Sequence, residues 1–174
     1  AKPLGAHHPC STMIGNSIYR SFKELGYNVI GVNHLGDWGT QFGVMLSAYM
    51  RWGESMPEDS TVNDLVELYQ RYSLEMAEDE TMAAEAREWF LKLEQGDEEA
   101  RMHWNRFRDV SLKEFERVYE RLDVHFDSYA GESFYNDKMD AVLERIETAG
   151  LSKISRDALV VDLEDYNMPP CILK

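Results

Sequence analysis

The sequence predicts an α/β chain interrupted by an all-helical insertion. A helix runs directly into an apolar strand near the start, the middle is acidic, Met-rich and helical, and strand patterning returns towards the end. The expected boundaries are 1–56 for the first α/β part, 57–125 for the helical insertion and 126–174 for the return.

Residues 11–25 carry Met13, Ile14, Ile18, Phe22 and Leu25 at helical spacing. Ser11 or Thr12 is available to cap the start, and Gly26 to stop the helix. Tyr27 to Val32 then reads as a short buried strand, β-branched and bounded by glycine. A helix leading straight into such a strand is half of a βαβ unit, whose first strand is expected at or before residue 1. His34 to Gly43 holds three glycines, two aromatics and a carboxylate before the apolar run from Val44 to Met50. That glycine density fits either close backbone approach to a ligand or a tight strand-to-helix turn.

Helical stripes follow at Leu65, Leu68, Tyr69, Tyr72 and Met76, then at Met82, Ala86, Trp89, Phe90 and Leu93, stopping at Gly96. A third helix is expected over 97–109 and a fourth from Ser111, whose spacing to Glu114 fits a capping box. Trp89, Phe90, Trp104 and Phe107 read as core, because a surface that stacks bases needs cations beside it. Val124 to Tyr129 restores near-alternation. A helix capped by Asn136 then carries Met139, Val142, Leu143 and Ile146 as far as Gly150. A strand is expected from Ala158 to Leu163, and a further strand or turn from Cys171 to Lys174.

Composition bounds the function. The chain has 174 residues, 44% of them hydrophobic and 29% charged, enough for one domain with an insertion and a real core. No apolar run approaches the roughly 18 residues of a spanning helix, so no membrane partner is expected, and the start shows no secretory apolar region. Cys10 and Cys171 lie at opposite ends, which fits a reducing cytoplasm better than a disulfide scaffold. Eighteen Lys and Arg against 32 Asp and Glu give a net charge of −14, which repels phosphate backbones; DNA is not an expected partner.

Neither a phosphate-cradling loop ending in Gly-Lys-Ser/Thr nor a Gly-x-Gly-x-x-Gly turn occurs. His7, His8 and Cys10 have zinc-binding donor atoms but lack paired-ligand spacing, so no metal site is expected. Pro9, between His8 and Cys10, is expected to disturb the helix start. Glu132 follows Gly131 at the end of a strand. There a carboxylate fits bidentate recognition of a guanidinium, or the commoner role of an acid favoured at a helix start.

Taken together, Ser11 to Ser17, Gly26 to Val29 and especially the run Val32-Asn33-His34-Leu35-Gly36-Asp37-Trp38-Gly39-Thr40-Gln41-Phe42-Gly43 resemble the catalytic domain of bacterial-type arginyl-tRNA synthetases. The likeness continues through Phe126 to Tyr135, Leu159 to Leu163 and Pro169-Pro170-Cys171, and covers essentially the whole chain. The resemblance implies a class I synthetase with a partial Rossmann-like catalytic fold, in which 57–125 is a helical insertion. The implied activity is arginine–tRNA ligase: arginine is activated with ATP, accompanied by Mg2+, and passed to tRNA in the full-length context. Glu132 matches the carboxylate that grips the substrate guanidinium. His8 matches the second His of the class signature, a catalytic residue that also approaches arginine. Asp37, Trp38, Gly39 and Gln41 match the run lining the active site. Such chemistry needs no covalent enzyme intermediate, only phosphate stabilisation and correct placement of the arginine carboxylate.

The signature itself is altered. Where the family has His, a small aliphatic, Gly, His, Leu and Arg, this chain has Gly5, Ala6, His7, His8, Pro9 and Cys10. His7 replaces the glycine that leaves room for adenine, and Cys10 replaces a cation near the polyphosphate. The expectation is therefore an incomplete catalytic domain with impaired catalysis of its own. The alternative is a synthetase-derived module that only binds arginine or a protein partner.

Overall fold

A computed structural model describes residues 5, 7–53, 56–57, 59–155 and 158–173. The chain forms two compact units, residues 1–133 and residues 134–174.

In the first unit, α1 (His7–Glu24) begins four residues earlier than its apolar stripe suggests and takes in His7 to Cys10 of the altered signature. Pro9 sits in the first turn, where its missing N–H has no intrahelical acceptor to lose, so the expected disturbance of the helix start does not occur. Gly26 ends the helix at φ 84°, a backbone conformation that glycine adopts freely. The stripe expected to face a core is instead exposed: Ile14, Ile18 and Leu25 keep 59%, 55% and 72% of their surface. Local propensity makes this helix, and no layer among the described residues covers it.

The expected strands at 27–32 and 124–129 are extended segments joined by a single parallel bridge between Val32 and Ser128. The Gly31 carbonyl accepts from the amides of both Asp127 (2.8 Å) and Ser128 (3.2 Å), and Asn33 N–H donates to the Ser128 carbonyl at 2.8 Å. Among the described residues these two short parallel segments have no further strand neighbour and give a bridge rather than a sheet, because parallel pairing is the weaker ladder and is normally buried on both faces.

The core of this unit is helical. α2 (Thr40–Trp52) buries Phe42 through Ala48 without a break, as expected of a helix enclosed on all sides. Its neighbours are α3 (Val62–Met76), α4 (Glu80–Gln95) and α5 (Glu98–Arg121). Phe42, Met45, Leu46, Leu65, Leu93, Ala100 and Phe107 form one buried cluster, against which Trp89, Phe90 and Trp104 pack as expected. Val44, Ala48, Tyr72, Met82 and Ala86 form a second. Gly43 is required by packing: a Cβ there would fall on the Ala86 carbonyl oxygen and 2.9 Å from Phe90 Cβ. Thr61 and Asp64 form the capping box of α3, and Gly96 ends α4 in the left-handed conformation.

The two helices expected at 97–109 and from Ser111 are one 24-residue helix, α5. Ser111 does not cap; its hydroxyl donates to the Phe107 carbonyl one turn back (2.8 Å), a bond available to serine inside a helix. Asp97 caps the start instead, its carboxylate accepting from Ala100 N–H at 2.9 Å.

A 3-10 segment spanning Glu132–Lys138 starts with the last two residues of the first unit, and in the second unit it is followed by α6 (Met139–Thr148), so the α-helix starts after the expected Asn136 cap. Three antiparallel strands follow: β1 (Ser152–Ser155), β2 (Ala158–Val161) and β3 (Cys171–Ile172). The β2 and β3 positions match the sequence pattern. β1 lacks the apolar run that announces a buried strand, and Lys153 pairs with Asp162 across the hairpin.

Candidate functional site

The extended segments at 31–37 and 127–133 are fastened side by side within the first unit. Beyond the bridge, Gly31 N–H donates to the Asp127 carboxylate (2.7 Å), which holds that acid below the usual carboxylate range, with help from Tyr19. His34 Nδ1 donates to the Ala130 carbonyl at 3.2 Å, and Glu132 N–H donates to the Leu35 carbonyl at 2.9 Å. Asp37 closes the seam: its carboxylate accepts from Ser133 N–H (2.9 Å) and from the Ser133 hydroxyl (2.8 Å). Gly131 is the residue this closeness demands, since a Cβ there would lie 2.6 Å from both Asp37 Oδ1 and the Leu35 carbonyl oxygen.

Beside this seam lies a cleft of about 1030 Å³. The first turns of α1 reach it through His8, Ser11 and Thr12, the loop before α2 through Asp37, and α2 itself through Gln41. α3 and α5 close it from the helical side with Tyr69, Gln70, Arg108 and Ser111 among others. A smaller groove of about 390 Å³ between α1 and segments 29–32 and 124–126 is lined mainly by apolar side chains and holds none of the nominated residues.

The nominated residues are thus drawn towards one place, though not all face it. His8 lines the cleft, and its Nδ1 accepts from Gly5 N–H (2.8 Å), which leaves the proton of the neutral ring on Nε2. Its ring lies 3.9 Å from that of His7, centroid to centroid, in the same helical turn. Gln41 lines the cleft while its side-chain amide donates to the Trp38 carbonyl at 2.7 Å. Gly39 stands just ahead of α2 at φ 121°, where other residues are strained, and its carbonyl accepts from Phe42 N–H. Trp38 turns into the helical core, edge-on to Phe90 and Trp104 with centroids 5.9 and 5.7 Å away. Glu132 is exposed and does not itself line the cleft; its Oε2 lies 3.9 Å from where a Cβ on Gly36, a lining residue, would stand.

The sequence did not single out Arg108. Its Nε lies 3.3 Å from Asp37 Oδ2, near enough for an ion pair, although its N–H is not aligned for a hydrogen bond with any acceptor. One turn earlier on α5, Trp104 donates its indole N–H to the Asp37 backbone carbonyl at 2.8 Å. One of several arginines on a helix of balanced charge carries no sequence signature of such a role. Among the described residues no three His, Cys, Asp or Glu side chains gather as a metal site would require.

A family model for the catalytic domain of class I tRNA synthetases (R) matches residues 1–174. The arginine–tRNA ligase of Clostridium botulinum (strain Alaska E43 / Type E3) is 53% identical over 174 residues, which cover 99% of this chain and 31% of that protein. The arginine–tRNA ligase of Alkaliphilus metalliredigens (strain QYMF) is 50% identical over 175 residues, covering 100% and 31%. The chain thus spans about 31% of the length of these curated relatives. The crystal structure of arginyl-tRNA synthetase from Plasmodium falciparum superposes with a TM-score of 0.76 at 33% identity, over 98% of this chain and 29% of that one.

Proposed function

The chain belongs to the class I tRNA synthetase (R) catalytic-domain family, and on that premise we propose that it carries part of the active site of an arginine–tRNA ligase. The observation that carries this reading is the cleft lined by His8, Asp37 and Gln41, with the Glu132 carboxylate beside Gly36 at its edge. Glu132 takes the substrate guanidinium, whose planar fork matches a carboxylate. His8, with Nε2–H free to donate, approaches the arginine and the nucleotide. Trp38 and Gly39 act indirectly, one by anchoring the loop in the helical core and the other by permitting the turn into α2.

ATP is the second substrate. The N-terminal turns of α1 reach the cleft and carry no acidic residue, an environment that favours phosphate. Mg2+, which the family uses with ATP, would supply charge neutralisation at the phosphates. The reaction joins the arginine carboxylate to the α-phosphate of ATP with loss of pyrophosphate, and the activated arginine passes to the 3′ end of tRNA. The parallel bridge between Val32 and Ser128 supports a Rossmann-like nucleus, with residues 57–125 as the insertion between 1–56 and 126–174. No helix among the described residues is long and apolar enough to cross a membrane, and the reading places the protein in the cytoplasm with tRNA, not DNA, as its nucleic-acid partner.

Arginine-dependent exchange of pyrophosphate into ATP tests the proposal, alongside calorimetric titration of the chain with arginine. Arginine binding that falls by roughly 100-fold in Glu132→Gln is expected, the loss of a charge-assisted pair, and exchange that requires arginine would show that the altered signature still supports catalysis. Arginine binding without exchange would instead favour the binding-only module. Neither binding nor exchange, or indifference to Glu132→Gln, would sink the assignment.

A further inference from the structure

We propose that Asp37 is a positioning residue, a clamp through which α5 of the helical part fixes the Glu132 carboxylate at the cleft. The clamp has two jaws. On one side, Trp104 and Arg108, four residues apart and so on one face of α5, hold the backbone carbonyl and the carboxylate of Asp37 respectively. On the other, both oxygens of that carboxylate take the two donors of Ser133, the residue next to Glu132.

Glu132 is bracketed as a result. Its own N–H is bound to the Leu35 carbonyl, its successor is bound to Asp37, and its predecessor Gly131 is pressed so closely against both that no side chain fits. Only the Glu132 side chain remains adjustable, and Asp37, 5% exposed, cannot exchange its partners for water without opening the seam. A shift of α5 against the 33–37 segment therefore passes through Asp37 into the backbone that aims the carboxylate. Tyr119, further along the same helix, ties Asn33 into the same arrangement by a 3.2 Å hydrogen bond to its hydroxyl. The helical part is thus built into arginine recognition without touching arginine. This inference rests on the assignment of Glu132 to the guanidinium.

The test compares Asp37→Asn, Arg108→Met, Arg108→Lys and Glu132→Gln in the full chain. Three quantities are read: amide hydrogen exchange at Glu132 and Ser133 against the core amide of Leu46, arginine affinity, and ATP affinity. Asp37→Asn keeps the shape and one acceptor but loses the charge facing Arg108. Arg108→Met leaves Asp37 intact and covers the case in which Asp37→Asn loses the protection at Leu46 and so fails to fold.

The clamp predicts exchange at Glu132 and Ser133 faster by about tenfold or more in Arg108→Met, with Leu46 unchanged, and arginine affinity weaker by about tenfold, a larger loss than any in ATP affinity. Because the Arg108 contact is an ion pair rather than an aligned hydrogen bond, Arg108→Lys recovers most of that loss. Unchanged exchange at both amides overturns the clamp, as does undiminished arginine affinity in both Asp37→Asn and Arg108→Met when Glu132→Gln has lost it. If Glu132→Gln itself leaves arginine binding intact, the Glu132 assignment falls and the link to arginine with it, while the exchange readout still decides on the clamp.

Discussion

Gly43→Ala is the most incisive change in the helical core. The added methyl would fall on the Ala86 carbonyl oxygen of α4, with Ala86 C 3.0 Å and Phe90 Cβ 2.9 Å away. The obstacle is helical backbone, so no rotamer change relieves it and α2 and α4 must move apart. Overpacking of this kind costs about 3 kcal/mol, the upper end of the usual range, because backbone cannot yield. Replacing glycine by alanine inside a helix returns about 1 kcal/mol through propensity. The net expectation is a loss of about 2 kcal/mol, which at a slope of about 2 kcal/mol per molar urea lowers the midpoint by about 1 M. Urea titration followed by far-ultraviolet circular dichroism, with tryptophan fluorescence reporting on Trp38, Trp89 and Trp104, measures it. A midpoint equal to or above that of the unaltered chain would refute the close helix approach, since propensity alone would then be acting.

Leu46→Ala, at a position with no exposed surface, is expected to cost about 2–5 kcal/mol in the same titration, and a loss under about 1 kcal/mol would mean the cluster around it is not the core. Asp79 caps α4, and its hydrogen bonds from the Thr81 side chain and backbone hold its carboxyl below the usual value. An acid so lowered contributes stability that is complete above its unfolded pKa, about 3.9, and is lost as pH falls through the folded value. Asp79→Asn, which can still cap, should therefore lose less stability than the unaltered chain between about pH 5 and 2, and identical acid profiles would dismiss this contribution.

The helices were legible where a single local signal decided them. Gly96 and Gly26 mark real stops because positive φ is cheap for glycine and costly for other residues. The stripe around Leu65 and Tyr72 finds its core because amphipathic periodicity already encodes a buried face. The misplaced boundary at Ser111 has an equally local cause: serine followed three residues later by glutamate fits a capping box, but a helix already propagating through Phe107 retains the serine by bonding its hydroxyl one turn back. Pro9 likewise looked like a disruption and proved compatible, since its effect depends on which turn of the helix it occupies.

The candidate site divides in the same way. His8, Asp37, Gln41 and Glu132 were nominated by residue type and by the family likeness of their neighbours, all of it contained in short stretches of chain. What their side chains do required the fold. That Trp38 faces the helical core, that Asp37 grips Ser133 across 96 positions, and that Arg108 stands behind Asp37 follow from the packing of α5 along the 33–37 segment.

By itself, then, the sequence determined most of the helices of the acidic middle and the family to which the chain belongs, and nominated residues for its chemistry, because capping, periodicity and motif are properties of neighbouring residues. Tertiary structure alone decided that the Glu132 carboxylate stays exposed while that of Asp37 is buried and bonded to Ser133. The two are both acids on glycine-flanked loops, and what separates them is which donors the fold brings within 3 Å and whether water can replace those donors.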